Sequence, residues 1–319
     1  MSRRVGDSLE LLGPIALVVA FAVIASLTAN ASDDVRFRAA IVYVAIVVAL
    51  YVFVGNSGVL SFGQMSFVAV GAFASGLMTV PTDVKPGVMP SLFPFIRDHS
   101  ISNPWSLVLA AALGGVYALL VGPALMRLTG LAAGIATFAV LGITYNILTY
   151  WTRIGPGAQT LDLIPVTTGY LQATGIDVHR QRLWAFVLSG TLCGFAGGLL
   201  VHLPPGSIST NDVYLDLTFL ALAMLVVGGV HSLYGAVLGA LGISLVNVLL
   251  QNAEASVHVF GWKITLPDGS AVIGIAVIML LALLLRPSGI TGGREFALPR
   301  RLRHGAPAPE PPPAAQEGV

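Results

Sequence analysis

Two short links hold most of the polar side chains in this chain that could do chemistry away from water. The first is Gly55-Asn56-Ser57-Gly58-Val59-Leu60-Ser61-Phe62-Gly63-Gln64. The second is Gly228-Gly229-Val230-His231-Ser232-Leu233-Tyr234-Gly235. Each joins two apolar runs, and no run carries an Asp, Glu, Lys or Arg near its centre. Glycine permits backbone angles that other residues avoid. A helix broken inside a membrane leaves N–H and C=O groups unpaired, which is tolerated only against protein or a wet cavity. In transporters such breaks often line the route of the cargo. The alternative for each link is a plain tight turn at the membrane surface. Ser57, Ser61 and Gln64 set the first link apart, because they bring hydrogen-bonding groups to membrane depth. Asn56, Ser57, Gly58, Ser61 and Gln64 are therefore the candidate residues of a substrate route.

Other chemistry is not readable. The chain has no paired carboxylates, Ser/His/Asp set or nucleophile with a partnered base, so an enzyme is not expected. Its histidines (His99, His179, His202, His231, His258, His304) are scattered, with none at i, i+4 from another, and no metal site follows. Cys193 stands alone and excludes an intrachain disulfide. A Gly-rich phosphate loop of the Walker type is missing, so no ATP and no other cofactor is expected on this chain. Proton- or sodium-coupled carriers commonly hold an acid inside the membrane, and its absence argues against ion coupling.

The elements that must position these links are membrane helices. The 319 residues are 55% apolar before the 36 glycines are added, and only 10% charged, against roughly 25% charged in soluble proteins. Mean hydropathy is +0.85. A soluble domain, a disordered chain and a disulfide scaffold are excluded in favour of an all-α polytopic membrane helix bundle. The net charge of +1 suggests no nucleic-acid partner. Nine apolar stretches read as spans: 11–27, 39–54, 64–80, 105–126, 131–150, 183–201, 215–230, 234–251 and 270–285. The first has a second reading as a cleaved signal, with Arg3 and Arg4 before it and Ala29-Asn30-Ala31 after it. Small residues at Gly71/Ser75, Gly194/Gly198 and Gly235/Gly239 predict close helix contacts. Tyr145, Asn146 and Asn247 are polar residues within spans.

Both ends read as cytoplasmic: Arg3 and Arg4 lie before the first span, and Arg286, Arg294, Arg300, Arg301 and Arg303 after the last. One transmembrane domain over 1–290 and a disordered Pro/Ala-rich cytoplasmic tail over 291–319 are expected. Two cytoplasmic ends need an even number of crossings, whereas nine spans are odd. The weak place is 152–182. Its middle, Gly155-Pro156-Gly157-Ala158-Gln159-Thr160-Leu161-Asp162, cannot span as a helix. A plain count places it outside, although it carries Arg153, Arg180 and Arg182. A re-entrant 131–150 would remove the conflict.

Three stretches, in order, resemble the permease subunit of branched-chain amino-acid ABC importers, of the LivM type. Gly55–Met78, GNSGVLSFGQMSFVAVGAFASGLM, is similar to that family's G-x-x-G-x-L-S-x-G-x-x-x-F-x-x-x-G-A pattern. Gly175–Leu200, GIDVHRQRLWAFVLSGTLCGFAGGLL, resembles its G-I-x-V segment and the helix after it. Val227–Gly242, VGGVHSLYGAVLGALG, resembles its G-G-x-G-S-x-x-G run. The resemblance covers roughly 39–150 and 171–290. It implies a multi-pass subunit in the bacterial plasma (inner) membrane that works by alternating access. The implied partners are a second homologous permease, two ATP-binding subunits that hydrolyse the ATP, and an extracytoplasmic substrate-binding protein. Leucine, isoleucine and valine are the usual cargo, with other amino acids, urea and short amides among relatives. The ATPase contact maps onto Leu171–Val178, so Gln172, Gly175, Asp177 and Arg180 are the coupling residues that the resemblance implies.

The chain also departs from the family. One further helix and the start of the coupling loop belong between Ile164-Pro165 and Gly175, yet the sequence runs from Val166-Thr167-Thr168-Gly169-Tyr170 straight into the coupling segment. Restoring one helix gives ten spans and two cytoplasmic ends. An internal deletion near 165–171 explains both the motif gap and the parity conflict. The rival functions are an ATP-independent carrier or channel, and an inactive permease remnant.

Overall fold

The computed structural model describes residues 13–24, 31–128, 130–154, 161–162, 178–203, 207–254, 257–259, 262–264, 267, 269–286 and 288–292. Among the described residues, apolar helices lie in each of the nine predicted stretches. They are α1 (Gly13–Ile24), α2 (Ala31–Ser57), α3 (Gln64–Thr79), α6 (Asn103–Leu125), α7 (Gly130–Tyr150), α8 (Val178–Val201), α9 (Leu217–Gly228), α10 (Leu233–Glu254) and α11 (Ser270–Leu285). Two single-turn helices, α4 (Lys85–Val88) and α5 (Pro94–Arg97), lie between α3 and α6. A kinked π-turn at Asp212–Asp216 opens α9. Among the described residues, strands are confined to two small antiparallel pairs: β1 (Leu161–Asp162) with β2 (Ser207–Ile208), and β3 (Val257–Val259) with β4 (Trp262–Ile264). Five of the helices are long and apolar enough to cross a membrane by length and composition. The protein is an all-α, multi-pass membrane protein.

Helices α3, α6 and α8 meet backbone to backbone along a seam of small residues. A Cβ on Gly71 would overlap the Gly194 carbonyl, and one on Gly197 would overlap that of Val68. On the other side of α8, a Cβ on Gly114 would stand 2.8 Å from the Gly194 Cα. Lipid tails are as apolar as leucine, so membrane helices associate chiefly by such packing. The contacts fix direction. Phe67, Gly71 and Ser75 meet Gly190, Gly194 and Gly198 in order, so α3 and α8 run parallel. Gly122 faces Phe186 while Leu107 faces Gly198, so α6 is antiparallel to both. Helix α2 is antiparallel to α8, since Ser189 Oγ donates to the Ala49 carbonyl at 2.6 Å and Phe53 packs edge-on to Phe186.

The bundle therefore has two ends. At the link end lie both sequence links, together with residues 288–292, whose Ile290 and Thr291 N–H groups donate to the Val227 and Gly228 carbonyls. At the loop end lie Phe37 against Phe21, Arg36 bonded to Asn252, and the α4–α5 loop. Buried Lys85 donates from Nζ to the Ile96 carbonyl at 2.7 Å and to that of His99. Burial pulls the Lys85 ammonium below the usual lysine range. Also at this end, Ser75 Oγ meets Ser106 Oγ at 2.8 Å and His202 Nε2 at 3.0 Å, tying α3 and α6 to the residue just beyond α8.

Successive helices alternate in direction with one exception. Helix α7 is continuous from the link end, where Thr137 Oγ1 accepts from the Phe62 N–H, to the loop end, where the Phe93 N–H donates to the Arg153 carbonyl. The re-entrant alternative for 131–150 is thereby corrected. Asp162 is still at the loop end, because β1 pairs with β2 beyond the end of α8. Yet Val178 begins α8 at the link end. The chain joining them, 163–177, lies outside the described residues and is shorter than the about 20 residues of a spanning helix. Among the described residues, the start of α1 and the end of α11 both lie at the link end.

Two outcomes follow. Gly194→Leu destabilises the protein in detergent by about 3 kcal/mol or more through overpacking, whereas Gly242→Ala, which meets nothing within 4 Å, leaves the melting temperature unchanged; thermal unfolding of the two variants checks this. In a Cys193→Ala background, cysteines placed at His179 and at Thr152 react with an impermeant maleimide from opposite sides of the membrane. Labelling of both from one side contradicts the α7–α8 arrangement.

Candidate functional site

The first link is not a surface turn. Ala49 is level with Ser189 and Phe67 with Gly190. At 1.5 Å per residue, α2 thus overshoots the start of α3 by about 9 Å at the link end, and α8 overshoots it by about 14 Å. The segment Gly58–Gly63 therefore runs from the tip of α2 back into the bundle. Gly58 makes the reversal with φ +67°, a left-handed conformation that disfavours other residues. Its N–H donates to the Val54 carbonyl at 2.8 Å. Thr137 of α7 pins the segment through the Phe62 N–H at 3.3 Å, and Phe62 packs edge-on to Phe138.

The five candidate route residues divide into two groups. Asn56 and Ser57 serve the tip of α2: Asn56 Nδ2 donates to the Val52 carbonyl at 2.6 Å, and Ser57 Oγ accepts from the Val59 N–H at 3.2 Å. Gly58 supplies the turn. Ser61 and Gln64 are carried into the interior, with 1% and 0% of their surface exposed. Ser61 Oγ and both amide atoms of Gln64 are buried without a hydrogen-bond partner. Gln64 alone among the described residues has both polar side-chain atoms in that state. A buried polar group left unpaired costs about 1–3 kcal/mol. Gln64 is also the first residue of α3, which begins at Gly63 with no side-chain cap. The first N–H groups of a helix have no partner within it.

The second link makes an instructive contrast. It repeats Gly-Val-x-Ser, with Gly229 at φ +124° in the place of Gly58. Here Ser232 Oγ accepts from the Gly235 N–H at 2.9 Å and caps α10. Gly228 lies directly against Gly235, so the turn is tight, and Thr291 Oγ1 donates to the Gly228 carbonyl at 3.0 Å. The tight-turn alternative holds for this link, whose polar groups are used up locally.

Of the coupling residues, Gln172, Gly175 and Asp177 lie outside the described residues, and Arg180 lies in the first turn of α8 with its side chain outside them. Tyr145 stacks on Tyr214 at 4.1 Å and donates to Asn211 Oδ1 at 2.9 Å. Asn146 donates to the Gly142 carbonyl and Asn247 accepts from Gln251, so both serve their own helices. Sequence reasoning missed Thr137 and the Ser75–Ser106–His202 knot. The Gly71/Ser75 spacing pointed to Ser75, but only as a packing residue. The one buried charged side chain among the described residues is Lys85, outside the spans.

Comparisons with known proteins follow the same lines. The family model described as the permease component of branched-chain amino acid transport systems matches residues 36–173 and 169–285. A protein of Methanocaldococcus jannaschii, described as a "probable branched-chain amino acid transport permease protein LivH", is 33% identical over 160 residues. That match covers 50% of this chain and 47% of the relative, so the chain spans about half the length of the curated relative it matches. No solved structure matches.

Gln64→Met removes an unpaired amide at nearly constant volume. It raises the unfolding free energy by about 1 kcal/mol or more, read as a higher melting temperature in detergent. A lower melting temperature would show that the amide is already satisfied.

Proposed function

Because this chain belongs to the branched-chain amino-acid transport permease family, we propose that it is the membrane-spanning subunit of an ABC importer for branched-chain amino acids. The observation that carries the reading is the recessed start of α3, where Ser61 and Gln64 hold unpaired polar atoms inside the bundle. Polar groups kept unsatisfied in a membrane interior mark cargo routes. In this reading Gly58, Ser61 and Gln64 line the route, while Asn56 and Ser57 shape its entrance. In this reading the link end is cytoplasmic because α1 begins and α11 ends there and both ends of the sequence read as cytoplasmic from Arg3, Arg4, Arg286 and Arg294, although the loop end carries Arg36, Arg38, Lys85, Arg97 and Arg153. The membrane is the bacterial plasma membrane. Residues 1–290 form one transmembrane domain ahead of the Pro/Ala-rich 291–319, of which Thr291 is still bonded to the Gly228 carbonyl at the link end.

ATP is hydrolysed by two separate subunits at the link end, and this chain binds no cofactor. A second homologous permease completes the translocation unit, and an extracytoplasmic binding protein delivers the amino acid. Gln172, Gly175, Asp177 and Arg180 receive the ATPase stroke, consistent with α8 beginning at that end. The LivM assignment rests on the three stretches Gly55–Met78, Gly175–Leu200 and Val227–Gly242 occurring in that order. An internal deletion near 165–171 accounts for the loop-end Asp162 preceding the link-end Val178, and for family-model matches that meet at 169–173. That same arrangement favours a second reading, an inactive remnant that has lost one helix.

The test is leucine uptake in proteoliposomes holding this chain with its partner permease and ATPases. ATP-dependent uptake supports the importer. Uptake by this chain alone without ATP establishes a carrier or channel, and failure to assemble with the ATPases establishes the remnant. In the same assay Gly58→Leu, whose Cβ meets no atom within 4 Å but which is strained at φ +67° by about 1–2 kcal/mol, inserts normally and loses uptake. Gly58→Asn, a residue that adopts this conformation more readily, keeps more of it. Equal uptake by both variants and the parent removes Gly58 from the route.

A further inference from the structure

The two Gly-Val-x-Ser links start from the same local sequence and end in opposite states. In the second, the serine caps its helix. In the first, Ser61 Oγ is buried and unpaired, α3 begins without a side-chain cap, and both amide atoms of its first residue, Gln64, are buried and unpaired. The unpaired side-chain groups at this point are the Ser61 hydroxyl and the Gln64 carboxamide, NH2 and Oε1 alike; behind them stand the Gln64 and Met65 N–H groups at the start of a 16-residue helix, the Ser66 N–H being taken by the Gly63 carbonyl at 3.0 Å. A helix N-terminus also carries a partial positive charge, and withdrawal from water strengthens it. Such a terminus binds carboxylates and phosphates. The surroundings add no full charge, since the one buried charged side chain among the described residues is Lys85, and it is at the loop end. A neutral donor set with a single helix terminus suits a monoanion of modest hydration better than a phosphate dianion.

We infer that the recessed N-terminus of α3, with Ser61 Oγ and the Gln64 carboxamide, binds the carboxylate of the transported molecule. The inference rests on the reading of Ser61 and Gln64 as route residues, and it narrows the cargo. A molecule must present a carboxylate to satisfy these donors, so urea and simple amides are excluded as good substrates, and the side chain of an amino acid is read elsewhere. Ser61 and Gln64 are binding residues here. Thr137 is a positioning residue that holds the Phe62 N–H and with it the segment.

The test compares L-leucine, 4-methylpentanoate (leucine without its amine) and L-leucinamide (leucine without its carboxylate). Each is titrated against the full chain in detergent with thermal unfolding as the readout, and against leucine uptake by the assembled complex. L-leucine and 4-methylpentanoate raise the melting temperature at millimolar concentration, and leucinamide does not. Ser61→Ala and Gln64→Met each raise the leucine concentration needed by about tenfold. Both variants are near-isosteric and are checked for folding by their own melting temperatures. Leucinamide acting as strongly as leucine overturns carboxylate recognition, and so does a parent chain stabilised by none of the three. Normal leucine uptake by Gln64→Met overturns the route reading itself. Lost uptake with no preference for the carboxylate overturns this inference alone.

Discussion

Close contact between the backbones of α3, α6 and α8 is the constraint on which the rest of the structure depends. In lipid there is little gain from burying one apolar side chain against another, so helices are held by how near they can approach. Gly71, Gly114, Gly190, Gly194 and Gly197 strip the seam of side chains and let carbonyls lie against Cα atoms. Bulkier residues would move the helices apart and release their register. With the register fixed, every other height in the bundle follows, including the depth at which α3 begins.

That depth separates the two links. Local sequence asks the same of both: a glycine in a left-handed conformation, a hydrophobic residue, then a serine. The α9–α10 pair is locked by Gly228 and Gly239, so its helices start and stop level and the serine finds an N–H. Helix α3 is locked to α8 instead, in a position that leaves it short of the tip of α2. The chain has to re-enter the bundle to reach it, and Ser61 and Gln64 arrive buried with no hydrogen-bond partner for their side chains. A local motif thus acquires its chemistry from a distant packing seam.

Much of the architecture was legible in the sequence. Long apolar runs report membrane helices by length, and among the described residues each of the nine stretches holds an apolar helix, five of them long and apolar enough to cross a membrane. The glycine pairs reported contact, because few other uses of Gly71 or Gly194 exist inside an apolar helix. Residue type singled out Ser61 and Gln64, but it singled out Asn56 and Ser57 equally. The difference is that α2 runs on to Ser57, and helix ends are poorly written in sequence, so both residues turn back on their own backbone. The knot of Ser75, Ser106 and His202 draws on three helices far apart in the chain and leaves no local pattern. Apolar periodicity also carries no sign of direction, which is why the shared direction of α7 and α8 is visible in the sequence only as a parity conflict and in the structure through contacts.

The strap at residues 288–292 has a mechanical meaning. Through Ile290 and Thr291 it is bonded to the α9–α10 turn, and Gly289 lies against Gly229. Helices α9, α10 and α11 are thereby riveted into one lever at the link end, while the α2–α3 segment is tied to α7 through the Thr137 hydroxyl and the Phe62–Phe138 ring contact. A pull or push delivered to this end would be carried stiffly on one side and yield on the other, so the compliance of the molecule is concentrated at the place where its unpaired polar atoms lie.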